Sequence, residues 1–217
     1  SLIKEQTLRI IFAIHGIRSA KKDNWVYKFA DFVGKDRRFK DDLAVPYPYG
    51  FLIAVNSVNP KTKFDHVKMV MRELRLLTKQ YPDAELNIVA HSYGTELSYQ
   101  AIKRSGEDGK PPIKVNKLIL VASIVSAHRE IPYADTLRAG KLNELHCYCS
   151  YEDEVFRYNP FGHSGCWGFL KDVHDPKCYE KPFKDLKIYN HQQKDLEHGD
   201  YFKGTRFFKE WLDIIAG

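Results

Sequence analysis

The sequence predicts an α/β protein, a three-layer α/β/α sandwich built on a mainly parallel sheet of about six strands. Three observations lead there. Short apolar runs alternate with helical segments, and strands that alternate with helices pair in parallel through right-handed crossovers. The 217 residues are 43% hydrophobic, enough for one domain (1–217) with a sizeable core. Charged residues make up 29% of the chain, and no stretch approaches the ~18 apolar residues of a membrane span.

The elements follow in order. Arg9-Ile10-Ile11-Phe12-Ala13-Ile14 is an apolar run of strand length. A helix from Trp25 to Val33 is expected next, capped by Asn24 and stopped at Gly34, with Trp25, Phe29 and Phe32 facing the core. Ala44 to Tyr47 suggests a short strand weakened by its prolines. Asp65 is the expected cap of a helix from His66 to Gln80, where Val67, Val70, Met71, Leu74 and Leu77 form one apolar stripe before Pro82-Asp83. Strands are expected at Leu86–Ala90, Lys117–Ser123, Leu145–Ser150 and Leu186–Asn190. Helices are expected at Glu96–Arg104 and Thr205–Ile215, the latter burying Phe208, Trp211, Leu212 and Ile215. Two short insertions stand out, near 124–143 and 155–184. The second holds Phe156, Tyr158, Phe161, Trp167 and Phe169 among glycines, which either line an apolar pocket or pack the loop down.

The net charge is +6, from 34 basic and 28 acidic residues. It reads first as a solvated basic surface and second as attraction to an anionic membrane surface. No aromatic-interleaved basic motif points to nucleic acid. Cys147, Cys149, Cys166 and Cys178 form no recognisable disulfide framework, which fits a reducing compartment. Cys147 and Cys149, two apart in a strand, share a face. His163, Cys166, His174 and Cys178 could hold zinc tetrahedrally, but their spacing matches no known motif. An ordinary loop is the preferred reading, and neither metal nor cofactor is expected. No leader or anchor is visible, so a cytoplasmic location is expected. The chain begins at Ser1 rather than Met, which leaves a trimmed leader or a larger parent protein open.

The most informative residues are His91-Ser92-Tyr93-Gly94-Thr95, which follow Leu86-Asn87-Ile88-Val89-Ala90 and open a helix. Strand, sharp turn with a central serine, then helix is the setting of a nucleophile elbow. Small residues two before and two after the serine, here Ala90 and Gly94, let strand and helix approach closely. Downstream, Asp153 lies in Tyr151-Glu152-Asp153-Glu154, just past a strand. His198 lies in His198-Gly199-Asp200-Tyr201-Phe202, after the last strand. Upstream, the first strand runs into His15-Gly16-Ile17.

In this order the motifs resemble those of the α/β-hydrolase family of serine esterases and lipases, over nearly the whole chain. The first position of the elbow is Ala90 where the family usually has glycine. About six strands are fewer than the eight of the full family pattern, so the resemblance implies a reduced α/β-hydrolase fold with the antiparallel N-terminal strands missing or reduced. It also implies Ser92 as nucleophile, His198 as general base and Asp153 as the acid that orients it. The backbone N–H groups of Ile17 and Tyr93 would form the oxyanion hole. Glu152 and Glu154 compete with Asp153, and His191 competes with His198. His15 is expected to be structural, and His91 is not taken as the base. Arg18 and Ser19 read as a solvated loop before they read as substrate contacts.

The expected activity is cleavage of carboxylic esters, from a small molecule or a lipid, through an acyl-enzyme. An acyltransferase or thioesterase, or a hydrolase-like binding domain without turnover, are the alternatives. The helix at Trp25 and the basic charge also bear a faint resemblance to lipase-like domains that act on membrane substrates. The residues that would bind substrate are not legible.

Overall fold

Strand β1 (Arg9–Ile14) is buried at every position and lies between two parallel neighbours. The structure, a computed structural model, describes residues 7–16, 25–48, 59–126, 133–155, 164–169 and 185–217, the side chains of Cys166 and Trp167 aside. Its sheet contains β2 (Leu43–Tyr47), β3 (Glu85–His91), β4 (Val115–Val121), β5 (Leu142–Ser150) and β6 (Ile188–Gln193). The order is β2-β1-β3-β4-β5-β6, and every adjacent pair is parallel. Crossover helices cover both faces of such a sheet, which is why the central strands are apolar runs rather than alternating ones.

Side chains alternate along β5. Tyr148 faces one helix layer, meeting Phe207 and Trp211 edge to face at 5.9 and 6.2 Å between ring centres. That layer is formed by α1 (Trp25–Lys35) and α6 (Arg206–Ala216), joined by Phe29 against Phe208 at 5.1 Å and Trp25 against Trp211 at 6.0 Å. Cys147 and Cys149 face the other way, both buried free thiols. On that side lie α2 (Pro60–Gln80) and α3 (Tyr93–Arg104), which pack on each other.

Several boundaries differ from those expected. Helix α2 starts at Pro60, because Asn59 accepts a hydrogen bond from Lys61 N–H at 3.0 Å and Pro60 presets the first turn. Asp65 is therefore an exposed residue inside the helix rather than its cap. Val67, Val70, Leu74 and Leu77 are buried on the inner stripe and Met71 is half-buried. Helix α1 runs through Gly34 to Lys35, then closes with Asp36 N–H to Val33 O at 3.0 Å. Helix α3 begins at Tyr93, directly after Ser92, instead of at Glu96. Strand β4 ends at Val121, because Ala122 takes a left-handed backbone with φ 46°. Strand β5 absorbs residues 142–143 of the first insertion, which also holds the short helix α4 (Ala134–Arg138). Strand β6 extends to Gln193, so His191 lies within it. Pro46, with no N–H to donate, sits on edge strand β2, where the ladder tolerates it.

Within 155–184 the structure describes Val155 and 164–169, with one short helix, α5 (Ser164–Trp167). Phe169 is fully buried edge to face against Tyr133, 5.7 Å between ring centres, so this aromatic packs the loop down. Phe156, Tyr158, Phe161, His163, His174 and Cys178 lie outside the described residues, as do Ile17, Arg18, Ser19 and Asn24. Among the described residues no helix is long and apolar enough to cross a membrane.

Candidate active site

Ser92 follows the last residue of β3 and precedes the first residue of α3, with φ 52° and ψ −121°. This backbone is uncommon for a residue with a side chain and costs on the order of 1–3 kcal/mol. The strain is held in place from both sides. Ser92 N–H donates to Val121 O at 3.0 Å, and Thr95 donates to Ser92 O through its N–H at 3.0 Å and its hydroxyl at 2.5 Å. A buried hydroxyl cluster extends from Thr95. Ser123 Oγ donates to Thr95 Oγ1 at 3.3 Å, Ser164 Oγ donates to Ser123 Oγ at 2.8 Å, and Ile124 N–H donates to Thr95 Oγ1 at 3.2 Å. Buried polar groups need such partners, and here they tie the elbow to the ends of β4 and α5.

Two glycines bring the backbone close enough for this turn. A Cβ on Gly94 would lie 2.6 Å from His15 O and 2.9 Å from Ile14 O. Those are main-chain atoms of β1 and its turn, so only glycine lets the start of α3 pass there. A Cβ on Gly16 would lie 2.8 Å from Ser92 Cβ and 3.3 Å from Ser92 Oγ. The turn after β1 thus rests directly on the serine. His15 in that turn is buried, its Nδ1–H donates to Gly16 O, and burial lowers its pKa, keeping the ring neutral.

His198, on the loop after β6, reaches Ser92 Oγ with Nε2 at 2.8 Å. Its Nδ1 faces Asp153 Oδ2 at 2.8 Å. Asp153 lies three residues past the end of β5, buried, and its other oxygen accepts Val155 N–H at 3.1 Å. Glu152 and Glu154 are exposed on either side of it. Asp153, His198 and Ser92 therefore form one hydrogen-bonded line at the carboxyl ends of β5, β6 and β3. In open α/β sheets, ligands bind at this edge. His191 does not join them. It stacks on Tyr148 at 4.5 Å between ring centres and meets His146, Nε2 to Nδ1, at 3.1 Å. Burial lowers the pKa of both of these histidines, that of His146 to about 4.

Tyr93 N–H heads the first turn of α3, where the helix dipole gives a positive end beside the Ser92 hydroxyl. The second N–H expected there, that of Ile17, lies outside the described residues. His91, set aside as the base from the sequence, makes a contact at the site that the sequence did not reveal. His91 is buried, its Nε2–H donates to His198 O at 3.1 Å, and its ring lies 4.8 Å from that of His198. Its only sequence signal was its place at the strand end before the serine.

No protein-family model matches the chain, and no curated protein matches it by sequence. Its likeness to solved structures is in the fold. A protein of the α/β-hydrolase superfamily from Xanthomonas campestris pv. campestris aligns with 95% of this chain and 99% of its own, at TM-score 0.51 and 13% identity. Carboxyl esterase 2 from the mycorrhizal fungus Tuber melanosporum aligns over 98% of this chain and 76% of its own, at TM-score 0.55 and 11% identity. An uncharacterized protein from Bacillus cereus matches 99% of this chain at TM-score 0.59 and 14% identity, and the chain spans 61% of that protein's length. The chain has a reduced α/β-hydrolase fold, with a sheet of six parallel strands and flanking helices among the described residues.

Proposed function

We propose that the protein is a serine hydrolase that cleaves carboxylic esters through an acyl-enzyme. The observation that carries this reading is the line from Asp153 through His198 to Ser92, with 2.8 Å at each step, ending on a serine in a strained elbow. A serine hydroxyl is a weak nucleophile until a base takes its proton. Asp153 accepts from His198 Nδ1–H, which leaves the Nε2 lone pair facing Ser92 Oγ. As Oγ bonds to the ester carbonyl carbon, Nε2 takes the hydroxyl proton, and Asp153 stabilises the imidazolium. The tetrahedral oxyanion is held by backbone N–H groups. Tyr93 supplies one from the start of α3, and Ile17 is the candidate for the second. Each such donor is worth roughly 3–4 kcal/mol of barrier. His198 then gives its proton to the departing alkoxide, releasing the alcohol. Water, deprotonated by the same nitrogen, attacks the acyl-enzyme, and the carboxylic acid leaves with Ser92 restored.

The fold shared with the Tuber melanosporum carboxyl esterase agrees with this chemistry. The test is covalent labelling by a fluorophosphonate, with hydrolysis of short- and long-chain p-nitrophenyl esters, in wild type, Ser92→Ala and His198→Ala. Labelling and turnover in wild type, both lost in the two variants, are expected. A folded wild type that neither labels nor turns over would overturn the reading.

A further inference from the structure

Two of the three side chains in the line are anchored through β5 and β6, whereas the nucleophile belongs to β3. What relates these two halves is the ring of His91. It is the last residue of β3, one peptide bond from Ser92, and its Nε2 lies 3.1 Å from the main-chain oxygen of His198. A carbonyl oxygen only accepts, so Nε2 carries the hydrogen. The ring is neutral, since burial, then the neighbouring His198, push its pKa well below the ordinary value. Nδ1 is therefore a bare lone pair. It has no hydrogen-bond partner among the described residues and points toward the turn after β1, where a Cβ on Gly16 would come within 3.2 Å of it.

Aromatic side chains fix the ring's plane. Phe202 meets it edge to face with 4.7 Å between centres and 88° between planes, and Trp25 does so at 6.4 Å and 86°. Phe202 in turn stacks on Trp25 at 4.7 Å. The loop that carries His198 also reaches β5, through Leu196 N–H to Ser150 Oγ at 3.4 Å and through the His198–Asp153 bond. His91 adds the tie to the nucleophile's own strand. Its neutrality matters as well, because His198 becomes a cation during turnover and a second cation 4.8 Å away would oppose that charge.

We propose that His91 is a positioning residue, whose Nε2–H grips the main-chain carbonyl of His198 and so fixes the distance between the base and Ser92 Oγ. The proposal rests on the reading of Ser92 and His198 given above. An ångström of misplacement in such a pair lowers turnover by roughly a hundredfold.

The experiment compares His91→Gln, which keeps a side-chain N–H donor, with His91→Leu and His91→Phe, which lack one. His91→Phe preserves the ring packing should His91→Leu fail to fold. Steady-state kinetics on a p-nitrophenyl ester should show kcat reduced about ten- to a hundredfold in the donor-less variants, with KM within about twofold of wild type. His91→Gln should recover most of kcat. Equal losses in all three variants, or wild-type kcat in His91→Leu or His91→Phe, overturn the proposal. Amide hydrogen exchange across 194–202 reads the grip without catalysis, and faster exchange in the donor-less variants than in His91→Gln is expected. If wild type neither labels nor turns over but this exchange difference is present, the hydrolase reading fails and the grip stands. Equal exchange in all variants removes the grip itself.

Discussion

His198 Nε2 stands 2.8 Å from Ser92 Oγ although 106 residues of chain separate them. The contact is made by two loops at one sheet edge, and Asp153, 45 residues before His198, closes the line. Replacing Asp153 by Asn keeps the shape and reverses the hydrogen bond. The amide would donate to Nδ1, leaving the hydrogen on Nε2, where it cannot accept from serine. Turnover should fall about 10³–10⁴-fold with little change in the unfolding midpoint, as kinetics and thermal melting of Asp153→Asn would show.

The elbow strain at Ser92 should be visible as stability. Glycine accepts a φ of 52° without the steric penalty that alanine shares with serine. Ser92→Gly should therefore be more stable than Ser92→Ala by about 1 kcal/mol, the strain relieved less the extra chain entropy of glycine. Urea denaturation of the two variants measures this difference. Equal stabilities would mean a strain no larger than the chain-entropy cost of glycine, and a Ser92→Gly less stable than Ser92→Ala would show that the backbone stores none there.

Gly94 and Gly16 should fail in different ways. The new methyl in Gly94→Ala meets His15 O and Ile14 O, rigid parts of the sheet edge, so α3 must move. A loss of about 2–3 kcal/mol in stability is expected, alongside lost activity. The methyl in Gly16→Ala meets the Ser92 side chain instead. Activity should fall more than stability does, and parallel chemical denaturation and ester hydrolysis would separate the two cases.

Acid should weaken the fold through histidines that stay neutral when folded. His146 titrates at about 4 in the native state, mainly because it is buried, with the Glu144 hydrogen bond opposing that shift in part. Unfolded, it titrates near 6.5. Between these values the unfolded chain binds the proton that the native chain refuses, so stability is intact above about pH 6.5 and declines as pH falls toward 4. The shift corresponds to roughly 2 kcal/mol after allowance for solvent screening. His91, His15 and His191 are shifted in the same direction, each with burial as the first cause, and add to the decline. Urea midpoints measured from pH 7 to 4.5 should drop less steeply in His146→Gln than in wild type.

Much of the architecture was readable because parallel strands buried on both faces are apolar runs, and these stood out at β1, β3, β4 and β5. Helix starts were less legible. Asp65 and Asn59 are both good caps, and the choice fell to Asn59 because Pro60 beside it already has the backbone angle of a first turn. The ends of β4 and β6 were set by tertiary events, the left-handed Ala122 and the pairing of β6 along β5, which no local pattern announces. At the site, Ser92, Asp153 and His198 could be singled out because each follows a strand end, and parallel strands deliver those ends to one edge. The contacts of His91 with His198 O and of Thr95 with Ser123 were not legible. They depend on how loops far apart in sequence fold over one another, and histidines and hydroxyls are common enough in loops to carry no pattern.

The strand order also has a temporal side. Ser92 emerges from the ribosome 106 residues ahead of the base that would arm it, a gap of roughly 5–20 s at ordinary rates of synthesis. The β1–β3–β4 centre can assemble in that interval, but β6 and the loop behind it arrive last of the sheet. Until β6 and that loop have emerged and docked, then, the nascent chain carries a serine without its partner histidine, and on the hydrolase reading the first turnover would report that the final strand of the sheet is in place.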